Sequence, residues 1–392
     1  MSERIAAIWG PAYAEAARIY DFGPQHPLRP GRVILAAELS RINGLFDLPE
    51  VSLVEPRVAT RRELELVHQP SYIDAIIRIG EGRWEPSDTR SWGVGPGDNP
   101  PFEGMHDASA LVAGSAVLAA DSCWTDGFEH VWYPAGGLHH AMPARASGFC
   151  IYDDPAIAIA HLLELGAERV AYLDVDVHHG DGVQEIFYSD PRVLTISLHE
   201  SGRFLFPGTG FVDEVGSGDA VGTSVNVPLP PYTGDDAYLA AFDQVVPPLV
   251  EAFKPSVLFT QLGCDTHVTD PLAHLQLTTH AWRKLATRIH QLAHSAAQGR
   301  WIATGGGGYS VAAVPRGWAN YFAEMCGGRE LAEELSEEWR EIARGWGLEK
   351  PPRMLHDEVN EPDRYIQEAA EEAERSARKT AERVFGYHGL KA

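Results

Sequence analysis

The chain has 392 residues, 44% of them apolar, which is enough to bury the core of one large α/β domain or of two smaller ones. Its 55 acidic residues outnumber 32 basic ones, and the formal net charge of −23 argues against a general nucleic-acid or anionic-membrane binder because both need a basic surface. The four cysteines form no Cys-x-x-Cys pair, and no apolar stretch is long enough to span a bilayer. We therefore expect a reduced, cytoplasmic protein.

In chain order, short apolar stretches alternate with longer segments of helical periodicity. Segments 81–105 and 200–235 are rich in glycine and proline, show no period and predict long loops. Strands separated by helices at this spacing predict an α/β fold, a single domain with a central, mostly parallel β-sheet flanked by helices. The candidate strands are 5–9, 51–54, 131–133, 170–175, 192–198, 257–262 and 300–304, and the candidate helices are 32–39, 63–79, 108–120, 154–165, 183–187, 238–253 and 278–297.

The α/β domain is expected to occupy residues 1–325. Residues 326–392 are rich in glutamate and alanine and predict a C-terminal helical extension that packs on the domain or on a partner subunit. Asn360 and Pro362 predict the start of its last helix, in which Ala369 and Ala373 belong to a thin apolar stripe. The sequence leaves a homo-oligomer open.

Polar residues follow the predicted strands at several places. Ligands of open parallel sheets bind beyond the carboxyl ends of the strands, so these residues are expected to converge at one edge of the sheet. Each has an ordinary explanation when taken alone, such as a surface histidine pair or an aspartate that caps a helix. The residues are His139, His140, the segment Asp174–Asp181, His199, Asp265 and Tyr309.

The segment Asp174–Asp181 places three carboxylates and two imidazoles at the end of a predicted buried strand. Burying so many ionisable groups costs several kcal/mol for each one unless a cation or a hydrogen bond compensates. Neutral histidine and ionised aspartate are common metal ligands, and Asp176 and His178, two residues apart in extended chain, point to the same side. The segment therefore predicts a metal site.

Five motifs in chain order carry a resemblance to a known family: PAGGLHHA (134–141), DVDVHHGDGV (174–183), FPGTG (206–210), GCDT (263–266) and GGGGY (305–309). With them the chain resembles the metal-dependent histone deacetylase family from about residue 26 to residue 316. The layout is most similar to the class I branch and to the bacterial acetoin-utilization deacetylases. The resemblance implies the arginase/deacetylase fold. Cys264 in place of the usual alanine, and His267 and His274 in the same loop, depart from the family pattern.

The resemblance assigns the zinc ligands to Asp176, His178 and Asp265, with ferrous iron as the alternative metal. Two carboxylates and one imidazole leave positions open for water and for a substrate carbonyl, as a catalytic metal requires.

The resemblance also assigns proton-handling groups. His139 and His140 become tandem histidines, backed by Asp174 and Asp181 respectively, which fix the tautomer of each ring. Tyr309 becomes the hydrogen-bond donor to the oxyanion that forms when water attacks the amide. We assign the final proton transfer to the leaving amine to His140.

For the substrate, the resemblance implies a narrow tunnel whose aromatic walls hold an aliphatic lysine side chain. From the residues alone, Phe149 and Phe206 are equally well explained as core residues, Asp98 as a turn residue and Arg32 as a partner in a helix-end salt bridge. Leu272 stands where polyamine deacetylases carry an acidic residue, so it argues against a cationic polyamine. The assigned residues are Gly148, Phe149 and Phe206 for the tunnel, Asp98 for its rim, Leu272 for its gate and Arg32 for an internal acetate channel.

The resemblance further implies structural potassium at two places. The first site uses Asp174 and Asp176 with backbone carbonyls of His178, Ser197 and Leu198. The second potassium site involves Phe187, Asp190 and Val193.

The leading hypothesis is a zinc-dependent hydrolase that removes acetyl groups from the ε-amine of lysine in proteins and releases acetate. For the acetoin-utilization branch, the resemblance implies a metabolic acylated protein such as acetyl-CoA synthetase rather than a histone. The alternative is an amidohydrolase for small acetylated amines such as acetylpolyamines. An arginase-like dimanganese enzyme would need more metal carboxylates, and a non-catalytic acetyl-lysine binder would require the loss of a ligand or of Tyr309.

Overall fold

The computed structural model describes residues 3–11, 13–14, 20–358 and 364–392. These residues form an eight-stranded sheet in which every pair of neighbouring strands is parallel. The strands are β1 Ile5–Ile8, β2 Val51–Val54, β3 His130–Tyr133, β4 Val170–Asp174, β5 Val193–Glu200, β6 Ser224–Leu229, β7 Val257–Gln261 and β8 Trp301–Thr304. Their order across the sheet is β2-β1-β3-β8-β7-β4-β5-β6. The predicted α/β fold class is confirmed.

Helices connect the strands and cover the sheet. No helix within the described ranges has both the length and the apolar character needed to cross a membrane. The helices are α1 Gly31–Ile42, α2 Arg61–Leu64, α3 Pro70–Gly80, α4 Asp88–Trp92, α5 Met105–Trp124, α6 Asp154–Glu164, α7 Asp181–Phe187, α8 Asp235–Phe253, α9 Thr279–Ala296, α10 Val314–Met325, α11 Glu337–Gly345 and α12 Arg364–Val384.

The sheet is buried on both faces because successive side chains of each strand enter different apolar layers. In β4, Ala171 and Leu173 join the layer that is covered by α1, α8, α9 and α10. Val170 and Tyr172 join the layer on the opposite face, under α5, α6 and α7. This two-sided burial explains why the strands read as continuous apolar runs in the sequence.

The register of the strands brings their last residues into one row. Tyr133 is paired with Thr304, Thr304 with Gln261, Gln261 with Asp174, and Asp174 with Ser197. The loops that follow these residues therefore start side by side at the carboxyl edge of the sheet. The motifs found in the sequence lie on those loops.

The observed elements differ from the predicted ones in several places. The predicted helix 63–79 is two helices, because Pro70 starts α3 at a first-turn position. The predicted loop 81–105 contains the short helix α4. The predicted loop 200–235 contains the edge strand β6, and its Pro228 is tolerated because an edge strand does not need every backbone N–H for pairing.

The helix α12 covers the outer edge of the sheet. Its small residues Ala373 and Ala377 are buried, and it packs against α8 and β6. The hydroxyls of Ser376 and Thr380 donate hydrogen bonds to the carbonyls of Pro228 (2.6 Å) and Asn226 (2.7 Å) in β6. The C-terminal segment thus satisfies acceptors on an otherwise open strand edge. The predicted helix start at Asn360 and Pro362 lies outside the described residues.

Candidate active site

Asp176, His178 and Asp265 form a buried cluster at the carboxyl edge of the sheet. One nitrogen or oxygen atom from each lies within 4.8 Å of the others. The Nδ1 atom of His178 is 3.1 Å from a carboxylate oxygen of Asp176 and 3.1 Å from one of Asp265. Asp176 and His178 follow β4, and Asp265 follows β7. Because β4 and β7 are adjacent strands, these distant parts of the sequence meet here.

Backbone and amide groups fix the two carboxylates. Asp265 accepts a hydrogen bond from the N–H of Val177 (2.8 Å), and Asp176 accepts one from the N–H of Gly307 (2.7 Å). The buried side chain of Gln261 donates to the same oxygen of Asp176 (2.7 Å). We did not predict Gln261 as a site residue, although a polar residue at the end of an apolar strand is a usable sequence signal.

The cluster fits a divalent cation. Burial and the negative charge of Asp176 raise the pKa of Asp265 to about 7. Burial also acts to raise the pKa of Asp176, but His139 and His178 outweigh it and hold this pKa well below its ordinary value. A cation between the three side chains would remove the repulsion between the carboxylates. Oxygen and imidazole nitrogen are ligands that zinc and ferrous iron both accept.

Two histidines lie beside this cluster, each with its own carboxylate. The Nδ1 atom of His139 is 2.7 Å from Asp174, and the Nδ1 atom of His140 is 2.6 Å from Asp181. The imidazole rings of the two histidines are 4.0 Å apart between centroids. The carboxylates hold Nδ1 as a donor in both rings, so each ring turns Nε2 away from its carboxylate partner.

The two histidines differ in charge. Burial lowers the pKa of His139, but the negative charges of Asp174 and Asp176 outweigh this effect and raise it to about 10. Burial and the nearby His139 lower the pKa of His140 to about 4, despite the opposing effect of Asp181. At neutral pH, His139 is a cation and His140 is a neutral imidazole that can accept a proton.

Tyr309 approaches the cluster from the loop after β8. Its ring centroid is 6.4 Å from that of His178, and its backbone N–H donates to Asp270 (2.8 Å). Within the described ranges, no residue forms a hydrogen bond with its hydroxyl. Burial and the charges of Asp265 and Asp176 raise the pKa of Tyr309 well above its ordinary value, so the hydroxyl keeps its proton and remains a donor.

A narrow cavity of about 260 Å³ leads to these groups. Gly148, Phe149, His140, Asp176 and Tyr309 are among its lining residues. Phe149 has a left-handed backbone conformation (φ 68°). At the preceding position, a Cβ atom added to Gly148 would collide with the ring of His140. A larger residue at position 148 would therefore obstruct the cavity.

The predicted substrate residues Phe206, Leu272 and Asp98 are not among the residues that line this cavity. Phe206 packs its ring 5.0 Å from that of His140 and is 40% exposed. Leu272 is half-buried and donates its backbone N–H to Asp270 (2.9 Å). Asp98 is exposed, and its carbonyl lies 3.2 Å from Nε2 of His26.

Arg32 separates the active-site cavity from a second one. It lines both cavities, and the second has a volume of about 430 Å³ and apolar walls that include Tyr13, Tyr20 and Val112. The buried guanidinium donates to the carbonyl of Gly308 (2.9 Å) and lies 5.2 Å from the ring of Trp318. Its observed contacts are thus inside the domain rather than in a surface salt bridge.

The residues predicted to bind potassium lie beside β4 and β5. Asp174 and Ser197 are paired in register, with Asp176, His178 and Leu198 following closely. The second predicted group lies in the turn before β5, where the N–H of Asp190 donates to the carbonyl of Phe187 (3.0 Å) and that of Val193 donates to Asp190 (3.2 Å).

His199 does not join the active site. The prediction that it follows a strand is wrong, because β5 extends to Glu200 and includes it. Its ring lies 2.8 Å from the hydroxyl of Ser197 and 2.9 Å from the carbonyl of Gly210. The neighbouring His179 lies 2.8 Å from the hydroxyl of Thr209, so both histidines have structural contacts.

Asp357, from the C-terminal segment, holds the loop that carries Asp265. It accepts hydrogen bonds from the backbone N–H of Thr279 (2.9 Å) and from Arg316 (2.9 Å), and it lies 2.9 Å from Nε2 of His267. No local sequence pattern predicts this role, because the partners come from three distant segments. The unusual His267 is therefore explained by a contact with the C-terminal segment.

We expect Asp357→Ala to lower the free energy of unfolding by about 2–4 kcal/mol, because it leaves several buried donors without an acceptor. These partners hold the pKa of Asp357 far below its ordinary value of 3.8. Its stabilising effect is therefore complete above that value and declines as the pH falls below it. Urea unfolding at pH 7 and pH 3 measures both effects, with the exposed Glu358→Ala as control. If the difference in unfolding free energy between wild type and Asp357→Ala is as large at pH 3 as at pH 7, this explanation is contradicted.

Comparison with known proteins adds independent information. Residues 26–325 match the family described as the histone deacetylase domain. The chain is 42% identical to the acetoin utilization protein AcuC of Bacillus subtilis (strain 168) over 332 residues, covering 84% of this chain and 85% of that protein. It is 38% identical to AcuC of Staphylococcus aureus (strain MSSA476) over 350 residues, covering 89% and 90%.

Solved structures of HDAC homologues are also similar to this chain. The crystal structure of an HDAC homologue from Aquifex aeolicus superposes with a TM-score of 0.81 at 30% identity, covering 95% of this chain and 100% of that one. A second crystal structure, of an HDAC homologue complexed with SAHA, has the same TM-score, identity and coverage.

Proposed function

This chain belongs to the histone deacetylase family and is a deacetylase, and from that premise we propose that it uses zinc to remove acetyl groups from the ε-amine of lysine in proteins, releasing acetate. The observation that carries the proposal is the convergence of two carboxylates, three imidazoles and a phenol at the end of one narrow cavity. Amide hydrolysis needs a polarised carbonyl, an activated water and a proton for the leaving amine, and these groups can supply all three.

The residues proposed to hold the zinc ion are Asp176, His178 and Asp265. When bound, the cation polarises the amide carbonyl and makes water more acidic. Gln261 and the N–H of Gly307 would keep Asp176 oriented, as hydrogen-bond partners of metal ligands do. Ferrous iron is the alternative metal, since the same ligand set accepts both.

The remaining steps belong to the chain itself. His140, neutral at pH 7, would accept a proton from the attacking water and then donate it to the departing lysine amine. Asp181 would hold the ring in the required tautomer. His139, cationic beside Asp174, would favour the negative charge that develops on the substrate oxygen. Tyr309 would donate its hydroxyl hydrogen to that oxygen.

The cavity supports an acylated lysine as substrate. We propose that an unbranched aliphatic side chain passes between Phe149, which lines the cavity, and Phe206, whose ring packs against His140. Asp98, which is exposed, would form the rim and accept hydrogen bonds from a peptide backbone. Arg32 and the apolar cavity behind it would serve as an exit for acetate, because a guanidinium favours a carboxylate. We propose potassium at the two groups of residues around Asp174 and Asp190, as a structural cation.

The second candidate function is hydrolysis of small acetylated amines. The test compares kcat/KM for an acetyl-lysine peptide with that for N-acetylputrescine, before and after removal of metal with a chelator. We expect the peptide to be the better substrate and the chelator to abolish both activities, with zinc restoring them. A much higher kcat/KM for the polyamine would support the alternative, and full activity without metal would exclude both.

Leu272 provides a specific prediction about this choice. Leu272 is half-buried, and if it forms the proposed gate, Leu272→Glu would place a carboxylate where a cationic polyamine would pass. We expect a roughly fivefold gain in kcat/KM for N-acetylputrescine relative to the peptide, which corresponds to about 1 kcal/mol. Leu272→Gln, of the same size without charge, is the control. An equal gain in relative kcat/KM for N-acetylputrescine in both variants would mean that the polarity of the residue, rather than its charge, determines the substrate preference.

A further inference from the structure

Four potential metal ligands meet at the opposite end of the sheet from the active site. Glu3 precedes β1 and His130 is the first residue of β3, so both lie at the amino edge of the strands. His290 and His294 are four residues apart on α9 and therefore share one face of that helix. One nitrogen or oxygen atom from each of the four residues lies within 4.8 Å of all the others.

The distances between these atoms fit a tetrahedral metal site. The Nε2 atom of His130 is 3.3 Å from Glu3 and 3.1 Å from Nε2 of His290. The same oxygen of Glu3 is 3.7 Å from Nε2 of His290, and the other oxygen of Glu3 is 3.0 Å from Nε2 of His294. Zinc bonds of about 2.0–2.1 Å to nitrogen and oxygen place tetrahedral ligands about 3.3–3.4 Å apart. The three separations among Glu3, His130 and His290 lie around that value, and His294 approaches the second oxygen of Glu3.

The arrangement of the rings is also that of convergent ligands. The imidazole of His130 is nearly perpendicular to that of His290 (83°) and to that of His294 (77°), with centroids 4.9 and 5.5 Å apart. Stacked rings would direct their nitrogens in parallel, whereas these direct three Nε2 atoms toward the carboxylate of Glu3. Ligand atoms of the three rings and of the carboxylate thus lie within 4.8 Å of one another.

A carboxylate lies beside the second ring nitrogen of His290. The Nδ1 atom of His290 is 3.2 Å from a carboxylate oxygen of Glu324, and its Nε2 atom is turned toward the other three residues. Metal-binding histidines commonly donate their second nitrogen to a carboxylate in this way. Glu324 is itself held by Arg283 (3.0 Å) and by the hydroxyl of Thr287 (3.2 Å).

We propose that Glu3, His130, His290 and His294 form a second metal site, which binds a divalent transition metal such as zinc. Four protein ligands complete a tetrahedron, so the site is structural rather than catalytic. The metal would fasten the segment before β1 to β3 and α9. His130 is fully buried, whereas the side chains of His294 and Glu3 are 42% and 30% exposed, which gives the ion a route from solvent.

The test counts metal ions in full-length, untagged protein that has been stripped with a chelator and reloaded with Co²⁺. A variant without active-site ligands, His178→Ala/Asp265→Asn, isolates the second site from the proposed catalytic one. We expect this variant to bind one Co²⁺ per chain, with the visible absorption of tetrahedral cobalt. Adding His290→Ala and His294→Ala should reduce the count to zero, whereas adding His161→Ala, a histidine paired with Asp121 elsewhere, should leave it at one.

The absence of bound Co²⁺ in the variant without active-site ligands would overturn the proposal, and so would one ion that persists after both α9 histidines are removed. Because loss of two histidines at the base of the sheet can impair folding, Glu3→Gln provides a milder version. It removes a charged ligand near the chain start, and we expect roughly tenfold weaker Co²⁺ binding with unchanged circular dichroism. Equal Co²⁺ affinity in Glu3→Gln would remove Glu3 from the site and leave it incomplete, which also contradicts the proposal.

Discussion

Replacing Tyr309 with phenylalanine is expected to lower kcat for an acetyl-lysine peptide by about 10²–10³-fold, with little change in KM. The proposed role of the hydroxyl is to donate a hydrogen bond to the oxyanion, an interaction that is stronger in the transition state than in the bound substrate. The high pKa of Tyr309 keeps the donor protonated, and its ring is held between Phe149 and His178. Removing one oxygen atom leaves that packing intact.

Steady-state kinetics on metal-loaded protein measure this effect. Tyr321→Phe is a matched control, because it removes the hydroxyl of another buried tyrosine, on α10, which has no hydrogen-bond partner within the described ranges. We expect Tyr321→Phe to keep full kcat. A Tyr309→Phe enzyme with wild-type kcat, or one in which only KM changes, would remove Tyr309 from the proposed mechanism.

The second large effect is expected for His140→Ala, which should reduce kcat by about 10²–10⁴-fold, the usual contribution of a general acid–base residue. His140 is the neutral member of the histidine pair, so it is the ring that can take a proton from water at pH 7. The hydrogen bond between its Nδ1 and Asp181 leaves Nε2 free for that transfer. Asp181→Asn should cause a smaller loss, since the ring remains present but loses its carboxylate partner.

A truncated histidine can also damage the site indirectly, so metal content is measured beside kcat. We expect His140→Ala to retain its metal, because the ligand atoms belong to Asp176, His178 and Asp265. His161→Ala, outside the active site, should keep wild-type kcat and metal content. A His140→Ala enzyme that hydrolyses the peptide at the wild-type rate would contradict the mechanism.

The sequence by itself determined the fold class, and it predicted which polar residues meet at one edge of the sheet. Apolar runs separated by helical segments indicate a parallel sheet, and in such a sheet the carboxyl ends of strands share one edge. Residues that follow β3, β4, β7 and β8 in the sequence therefore have to meet. For this reason the amino-acid order alone is enough to group His139, His140, Asp176, Asp265 and Tyr309.

Only the tertiary structure decided which residues support that group. Gln261 touches Asp176 because β7 and β4 are neighbours in register, and Asp357 reaches His267 because the C-terminal segment returns to α9 and α10. Strand β6 could not be predicted, since its proline is acceptable only at an edge that α12 then covers. Local periodicity encodes the element in which a residue lies. It carries no information about contacts between distant segments, and for that reason the cluster of Glu3, His130, His290 and His294 was not visible in the sequence.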